Sequence, residues 1–387
     1  MGPGGRWRDQ LLPEQAGAIA VRIGVDFTAG LNQRAGIGRL TRQLFSALFE
    51  LDSDNEYRLL YAPSAQSDLA AVPSQPNVSV QRLPLGERWQ TIAWHRLRLP
   101  LWADALAGGV DVFHSPDFVL APVRRARTVL TVHDLTFVMR PECAAPSLRR
   151  YLGRVVPRSV RRADRVLADS KATAGDLLRL YQLPADRLEV VYSAADVRFR
   201  PLSADQAEEM LAGLEIPRPF ILTVGTLEPR KNIERLVDAF VSLDVPHNLV
   251  VVGARGWLYE DVLAKLRQPR IFAPGFVTDE QLVALYNLAD VFVFPSLYEG
   301  FGLEPLEAMA CGTPVAVSNV SSLPEVVGDA GLMFGPEDTA AIAAAIRRLV
   351  DDAALRGELR AAGLEQARRF SWRSSAQQLK EIYESLD

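Results

Sequence analysis

Cysteine and histidine are scarce in this chain of 387 residues, which has two cysteines and four histidines. Cys143 and Cys311 lie far apart in the sequence. The chain therefore lacks the dense cysteine framework of a disulfide-stabilised domain, and a reducing compartment is the simplest setting. No HxxxH pair and no Cys/His cluster occurs, which disfavours a dedicated zinc site. We therefore expect no bound metal.

Long apolar runs are also absent. No stretch of about 18 apolar residues occurs, so we expect no membrane-spanning helix. Residues 1–18 lack the apolar core of a signal peptide, and we expect them to be disordered and the protein to be cytoplasmic. The formal net charge of -4 argues against a nucleic-acid partner, because such proteins usually carry a basic excess.

Lysine is missing from residues 121–165, although this segment has eleven arginines and only three acidic residues. Two interpretations of this excess of positive charge stay open. The segment forms a solvated helix face, as charge runs often do. Alternatively, it is a patch for an anionic acceptor or for the cytoplasmic leaflet of a membrane, where each basic residue contributes about 1 kcal/mol. The second interpretation predicts a peripheral membrane contact.

Short β-rich runs alternate with helical patterns along the chain, which predicts βαβ units and parallel, doubly wound sheets. The strands predicted in the first half are Val21–Phe27, Tyr57–Tyr61, Val78–Leu83, Val110–Phe113, Thr128–Val132, Arg165–Ala168 and Leu188–Val191. The pattern restarts near residue 200. The strands predicted after it are Phe220–Val224, Leu249–Val252, Ile271–Phe272, Val291–Phe294, Val315–Val317 and Leu332–Phe334.

The restart predicts an α/β protein with two Rossmann-like domains, residues 1–198 and 199–370, which face each other across a cleft. Ligands of such sheets bind beyond the carboxyl ends of the strands, so the cleft is the expected site. The last segment, 371–387, is predicted to be an amphipathic helix that packs back on the N-terminal domain.

The segment FPSLYEGFGLEPLEAMACG, residues 294–312, combines a strand end, a glycine loop and a helix start. Glycines allow close approach of the backbone, and the free N–H groups of a helix start favour an anion, which together suit a diphosphate. Glu299 lies in the predicted loop, where it can face the cleft. Glu307 lies about one turn inside the helix, where it can accept hydrogen bonds from vicinal hydroxyls such as those of ribose. The simpler alternative is a capping carboxylate and a surface glutamate.

A second element, LTVGTLEPRKNI at residues 222–233, places two cations after a strand that ends at Gly225. Arg230 binds oxygens in pairs and Lys231 acts as a point charge, so both suit a diphosphate. At an ordinary helix start, a basic pair is unfavourable against the helix dipole. The sequence therefore predicts an anion beside Arg230 and Lys231.

A third element is the loop GLNQRAGIGR at residues 30–39. Gly36 and Gly38 allow close backbone approach, but Thr41 stands where a dinucleotide fingerprint needs its third glycine. The loop alone is therefore a weak signal.

One histidine is placed for the cleft. His133 follows the predicted strand Thr128–Val132, although a lone histidine is more often structural. His114, at the end of another predicted strand, is a weaker candidate for the acceptor side.

Glu299 and Glu307 have the E-x7-E spacing, and EGFGLEPLEAMACGTPV around them resembles the retaining GT-B glycosyltransferases of group 1. The pattern GIGR…HDL…EPRKN along the chain is most similar to that of bacterial mannosyltransferases. The resemblance implies the GT-B fold, with an N-terminal acceptor-binding domain and a C-terminal nucleotide-sugar-binding domain. It also implies a metal-independent hexosyltransferase without a cofactor. The expected donor is GDP-mannose, and the expected acceptor is a saccharide or a lipid-linked saccharide.

The resemblance assigns the donor contacts to individual residues. It implies that Glu299 contacts the hydroxyls of the donor sugar and that Glu307 binds the ribose. The amides of Gly302 and Leu303 match positions that hold the donor sugar or phosphate. Glu304 departs from the family pattern, in which this residue is usually uncharged, and we expect it to point away from the diphosphate.

The resemblance also covers the other two elements. Gly225, Arg230 and Lys231 match the G-x5-K element, whose basic pair neutralises the leaving nucleoside diphosphate. The glycine loop closes over donor phosphate and acceptor, with Ala35 in place of its first glycine. His133 stands at the position of the active-site histidine, with an implied hydrogen bond to the donor sugar. No carboxylate stands at a convincing nucleophile position, so front-face displacement is the expected route to retention.

Two other functions stay open. The chain can be a catalytically inactive nucleotide-sugar-binding or scaffold protein on the same fold. A nicotinamide oxidoreductase is the other alternative, although G-x-G-x-x-G is missing from both halves. Asp52-Ser53-Asp54 matches the D-x-D metal motif of the other main transferase fold, but it lies in a polar segment that turn chemistry explains.

Overall fold

The computed structural model describes residues 20–33, 36–97, 99–211 and 213–386. The segment 1–18, for which we predict disorder, and Ala35 lie outside these ranges. Within the ranges, a seven-stranded and a six-stranded sheet are formed, and all strand pairs are parallel.

The first sheet has the spatial order β3-β2-β1-β4-β5-β6-β7. Its strands are β1 (Arg22–Asp26), β2 (Glu56–Tyr61), β3 (Val78–Arg82), β4 (Val112–Ser115), β5 (Arg127–Val132), β6 (Arg165–Ala168) and β7 (Leu188–Val190). The helices of this part are α1 (Thr28–Asn32), α2 (Ile37–Leu51), α3 (Glu87–Thr91), α4 (Ala103–Leu106), α5 (Thr136–Met139), α6 (Pro146–Arg162) and α7 (Lys171–Tyr181). A π-helical turn, Ile92–Arg96, follows α3.

The second sheet has the order β10-β9-β8-β11-β12-β13. Its strands are β8 (Phe220–Val224), β9 (Asn248–Val252), β10 (Ile271–Gly275), β11 (Val291–Phe294), β12 (Val315–Ser318) and β13 (Gly331–Phe334). The helices are α8 (Ala204–Met210), α9 (Ile233–Val241), α10 (Glu260–Lys265), α11 (Asp279–Leu288), α12 (Leu303–Ala310), α13 (Leu323–Val327), α14 (Thr339–Asp351), α15 (Ala353–Ala367) and α16 (Trp372–Glu384). In the described ranges, no helix has the length and apolarity needed to cross a membrane.

Each sheet has one point at which the strand order reverses. In the first sheet this point lies between β1 and β4, and in the second it lies between β8 and β11. At such a point the connections leave toward opposite faces, which opens a crevice beyond the carboxyl ends of the two strands. The fold therefore offers two crevices, one in each sheet.

The central strand β11 shows why the strand segments of this sequence are continuous apolar runs. Phe292 and Phe294 pack on one face of the sheet with Leu306 of α12. Val291 and Val293 pack on the other face with the residues of a second cluster. Because helices cover both faces, every side chain of the strand is buried, and no alternation of polar and apolar residues develops.

The prediction that His114 ends a strand at the acceptor side is wrong. Strand β4 runs two residues further than predicted, because His114 and Ser115 pair with Val129 and Leu130 of β5. The imidazole is fully buried. Its Nδ1 lies 2.6 Å from the Tyr383 hydroxyl, and its Nε2 lies 2.8 Å from the Thr131 hydroxyl. Burial lowers the pKa of His114 to about 3, so this neutral ring is part of the core.

Helix α16 lies against α2 of the first domain. Leu379 and Tyr383 of α16 are fully buried in a cluster with Phe45 and Leu48 of α2. Beside this cluster, the Lys380 ammonium donates to the buried Asp52 carboxylate at 3.0 Å. The end of the chain thus returns to the first domain after the second sheet is complete.

The D-x-D segment has a structural role. The Asp52 carboxylate is buried and accepts hydrogen bonds from the Asp54 amide, the Asn55 side chain and the Tyr57 hydroxyl. These bonds close the turn between α2 and β2, in agreement with the interpretation as turn chemistry.

We predict that Tyr383→Phe destabilises the protein without changing its fold. The substitution removes the hydroxyl that bonds His114, and a buried ring nitrogen left without its partner costs about 1–3 kcal/mol of the free energy of unfolding. Urea denaturation at pH 7 measures this difference. Tyr259→Phe is the matched control, because its half-buried ring lies on the second domain. An equal decrease in the free energy of unfolding in the two variants would contradict a stabilising role for the hydrogen bond between Tyr383 and His114.

Candidate active site

The predicted donor residues meet at the crevice of the second sheet. Gly225 follows β8, and Arg230 and Lys231 lie in the one-turn 3-10 helix Pro229–Lys231 that comes next. Glu299 lies in the loop after β11, five residues beyond its end. The two loops are joined directly, since the Leu297 amide donates to the Arg230 carbonyl at 2.8 Å.

Lys231 is buried and Arg230 is partly buried, and both cations are bound to carboxylates. The Arg230 guanidinium donates to one oxygen of Glu299 and, at 2.9 Å, to Glu228. The Lys231 ammonium donates to the other Glu299 oxygen at 2.9 Å and to Glu304 at 2.8 Å. Burial by itself would raise the pKa of Glu299, but Arg230 and Lys231 lower it to about 2. Glu299 is therefore an ionised acceptor at any physiological pH.

The expectation that Glu304 points away from the site is wrong. Its carboxylate lies in the first turn of α12 and binds Lys231. A buried ammonium with only one carboxylate would keep donors unsatisfied, and Glu304 supplies a second acceptor. A ligand phosphate beside Lys231 therefore has to compete with Glu304.

The glycine loop before α12 is shaped by close contacts. Gly302 caps the helix with φ of 104°, a conformation that favours glycine, and Leu303 is the first helical residue. A Cβ on Gly300 would lie 2.0 Å from the His133 carbonyl oxygen. The Ser322 hydroxyl donates to the Phe301 carbonyl at 2.7 Å and lies 3.1 Å from the Glu299 carbonyl oxygen. The backbone that carries Glu299 is thus fixed on both sides.

Glu307 lies in α12, buried at 1% exposure. Its carboxylate binds the guanidinium of Arg39, which comes from α2 in the first domain, and lies 3.4 Å from the Tyr286 hydroxyl. Burial raises the pKa of Glu307 to about 8, although Arg39 favours the charged form. The expected ribose carboxylate is therefore one of the points at which the first domain contacts the second.

The glycine loop of the first domain leads into this contact. Gly36 precedes α2 with φ of 57°. Gly38 lies in the first turn, where a Cβ would stand 2.2 Å from the Gln33 carbonyl oxygen. Because Gly38 permits this close approach, α2 can start beside α1 and present Arg39 to the second domain.

His133 is buried at the carboxyl end of β5. Its Nδ1 lies 2.7 Å from an Asp169 oxygen, and its Nε2 lies 2.8 Å from the Pro116 carbonyl oxygen. Both partners are acceptors, so both nitrogens donate and the ring is charged. Burial lowers the pKa of His133, but Asp169 outweighs burial and raises it to about 9. A sugar hydroxyl can reach Nε2 only by replacing the Pro116 carbonyl.

Further contacts join the two domains at this place. The Thr173 hydroxyl lies 3.4 Å from the His133 carbonyl and 3.3 Å from the Gly300 carbonyl. Glu325 of α13 accepts hydrogen bonds from the Lys171 amide at the start of α7. Ser170 caps α7 by accepting from the Thr173 amide at 3.1 Å, so its role here is structural.

Sequence reasoning missed three residues of the site. Asp169, Glu228 and Arg39 each bind a predicted residue. A signal existed for two of them, since Asp169 follows β6 beside β5 and Glu228 stands two residues before Arg230. Arg39 is the last residue of the loop GLNQRAGIGR, but no local pattern identifies its partner, which is 268 positions away. No group of three or more histidine, cysteine or acidic residues suited to a metal ion occurs in the described part of the chain.

Two family models match the chain. The model described as glycosyl transferases group 1 matches residues 208–384, and the one described as glycosyltransferase family 4 matches residues 35–199. O-antigen chain mannosyltransferase B from Escherichia coli is 36% identical, over 91% of this chain and 96% of the relative. Serotype-specific mannosyltransferase WbdA from Escherichia coli is 36% identical, over 65% of this chain and 32% of that longer relative.

A solved structure matches as well. Sucrose-phosphate synthase from Thermosynechococcus elongatus superposes with a TM-score of 0.75 at 24% identity, covering 95% of this chain and 99% of the other. At this identity the likeness concerns the fold.

We predict that Asp169→Asn lowers the pKa of His133 from about 9. In the native protein the folded pKa lies above the ordinary value of 6.5, so the pair contributes its stability fully below pH 6.5 and loses it as the pH rises through 9. The shift corresponds to about 3 kcal/mol. NMR titration of the histidine C–H signals measures the pKa, and urea denaturation at pH 6.5 and 9.5 measures the stability.

Asp351→Asn, an exposed position at the end of α14, is the control. Between pH 6.5 and pH 9.5, the free energy of unfolding of the native protein and of this control should fall by about 3 kcal/mol more than that of Asp169→Asn. An unchanged titration of His133 in Asp169→Asn would show that Asp169 does not hold its charge.

Proposed function

This chain belongs to the glycosyl transferases group 1 family and has the GT-B fold of a hexosyltransferase, and we propose that it transfers mannose from GDP-mannose with retention of configuration. The acceptor is a saccharide or a lipid-linked saccharide. Mannose is favoured by the two similar enzymes from Escherichia coli, both of which are mannosyltransferases by name.

The cluster of Arg230, Lys231 and Glu299 is the observation that carries this proposal. A nucleoside diphosphate leaving group develops negative charge, and a buried lysine and a partly buried arginine stabilise it more strongly than fully solvated cations would. When the diphosphate binds the cations, Glu299 loses hydrogen bonds and becomes free to accept from sugar hydroxyls. The first turn of α12 supplies N–H groups to the same anion.

Retention follows from a displacement on one face of the sugar. The bond between C1 and the phosphate oxygen breaks, and the acceptor oxygen bonds C1 from the same side through an oxocarbenium-like transition state. The departing phosphate oxygen takes the acceptor proton, so no strong enzymatic base is needed. The reaction as proposed uses neither a metal ion nor a cofactor.

A lipid-linked acceptor fits the surface charge of the first domain. Six arginines on α6 are exposed, namely Arg149, Arg150, Arg154, Arg158, Arg161 and Arg162. None of the six forms an ion pair with another described residue. Unpaired arginines suit an anionic membrane surface, and the proposed location is the cytoplasmic face of a membrane.

A panel of nucleotide sugars tests the donor. In thermal-shift measurements with EDTA present, GDP-mannose at about 100 times its Kd should stabilise the protein by about 2.7 kcal/mol, and UDP-, TDP- and ADP-sugars should do so less. A preference for another base would contradict the GDP assignment. Binding without transfer or donor hydrolysis would favour the inactive binding protein, and activity that EDTA abolishes would contradict metal independence.

Lys231→Ala tests the cation. We predict that kcat falls by about 10²–10³, as for the loss of one group that stabilises transition-state charge. The variant also leaves Glu304 without its partner and Glu299 with Arg230 alone, so its free energy of unfolding should fall by about 3–5 kcal/mol. The double variant Lys231→Ala/Glu304→Gln separates the loss of kcat from the loss of stability. It removes the unpaired charge of Glu304, so the free energy of unfolding should recover while kcat stays low.

Lys265→Ala is the matched control, since this lysine pairs with Asp238 on the outer helices of the second domain. It should keep the native kcat. Recovery of kcat together with stability in the double variant would assign Lys231 a purely structural role.

A further inference from the structure

A second cavity, of about 420 Å³, lies at the crevice of the first sheet. It is bounded by Asp26 at the end of β1 and by Ser115, Pro116 and Asp117 at and after the end of β4. This is the point at which the strand order of the first sheet reverses, where α/β sheets bind ligands. Its volume is in the range of small-molecule sites.

One buried side chain in this cavity has no partner. Gln90 lines the cavity and is 4% exposed, and neither its amide nitrogen nor its amide oxygen forms a hydrogen bond with a described residue. An unsatisfied buried amide costs free energy. An amide group both donates and accepts, so a sugar hydroxyl is a suitable partner for either of its atoms.

The charge of the cavity is negative. Asp26, Glu87 and Asp117 line it, and among the described residues around it none is lysine or arginine. Burial raises the pKa of Asp26 and raises that of Asp117 to about 6. These groups accept hydrogen bonds from hydroxyls and repel phosphate. The rings of Trp94 and Tyr151 complete the wall and offer apolar faces.

The cavity adjoins the donor site through His133. The Pro116 carbonyl at its edge accepts from His133 Nε2, and the His133 carbonyl lies against Gly300, next to Glu299. A ligand in the cavity is therefore on the first-domain side of the proposed sugar position.

Positive charge lies immediately outside this cavity. A neighbouring surface cavity of about 670 Å³ is lined by Arg96, Arg150, Arg154 and Arg158, and Tyr151 lines both cavities. An anionic group of an acceptor is thus favoured on the arginine side and disfavoured on the acidic side.

We propose that the acidic cavity binds the acceptor as an uncharged sugar ring, held by hydrogen bonds to Asp26, Asp117 and Gln90. The inference rests on the proposed glycosyl transfer and specifies which part of the acceptor enters. Sugars that carry phosphate at the ring in this cavity are excluded.

The experiment compares two acceptors, octyl α-D-mannopyranoside and its 6-phosphate, with GDP-mannose as donor. The neutral mannoside should be elongated, with kcat/KM about a hundredfold above that of the phosphate, because like charges at close range cost several kcal/mol. Asp117→Asn should narrow this ratio and raise the KM of the neutral acceptor. Asp351→Asn is the matched control and should change neither.

Gln90→Leu gives an independent readout. The apolar side chain removes an unsatisfied buried amide, so the unliganded variant should melt at a higher temperature than the native protein. The KM of the neutral acceptor should rise about tenfold, as expected for a lost hydrogen bond. If Gln90 has no role in acceptor binding, Gln90→Leu will change the melting temperature and leave the KM of the acceptor unchanged.

The outcomes separate this inference from the proposed function. If the native protein neither binds nor hydrolyses GDP-mannose, the proposed function is overturned. Normal donor hydrolysis with native acceptor KM in Gln90→Leu and Asp117→Asn would overturn the acceptor site alone. Transfer to the phosphate at a rate equal to or above that of the neutral mannoside, or no transfer to the neutral mannoside while donor hydrolysis proceeds, would also overturn it.

Discussion

Two cations withdrawn from most of the solvent, Arg230 and Lys231, set the charge balance on which the rest of the cleft depends. Burying a charge is costly unless it is paired and hydrogen-bonded, and three carboxylates, from Glu228, Glu299 and Glu304, meet this need. These groups come from the loop after β8, the loop after β11 and the start of α12. The ion pairs therefore hold three separate segments together, and any anion that binds the cations alters the contacts of all three.

The two sheets repeat one topology but carry opposite charge at their crevices. The crevice of the second sheet presents two cations, which suit a diphosphate. The crevice of the first sheet presents carboxylates and an amide, which suit hydroxyls. His133 lies between them with its charge held by Asp169. Under the proposed function, the same backbone arrangement serves two chemically different ligands, because the side chains at the strand ends differ.

The sequence predicted most of the fold because its strands are buried on both faces. Arg165–Ala168, Phe220–Val224 and Val291–Phe294 have the predicted bounds, since continuous apolar runs mark such strands clearly. His114 and Glu304 were misplaced for one reason: each position depends on a partner distant in sequence, Tyr383 for the first and Lys231 for the second. The unpaired amide of Gln90 could not be predicted either, because local pattern does not reveal which polar groups tertiary packing leaves unsatisfied.

The pair of Arg39 and Glu307 links donor binding to the contact between the domains. Burial opposes ionisation of Glu307, and the guanidinium of Arg39 favours it. Under the proposed function, the ribose hydroxyls donate hydrogen bonds to the same carboxylate, and they favour the ionised form for the same reason. Two partners that stabilise one charge state share the cost of producing it, so each makes the other's binding more favourable. Under the proposed function, occupation of Glu307 by a nucleotide therefore strengthens the contact of α2 with the second domain, and this contact keeps the acidic cavity of the first domain next to the donor site of the second.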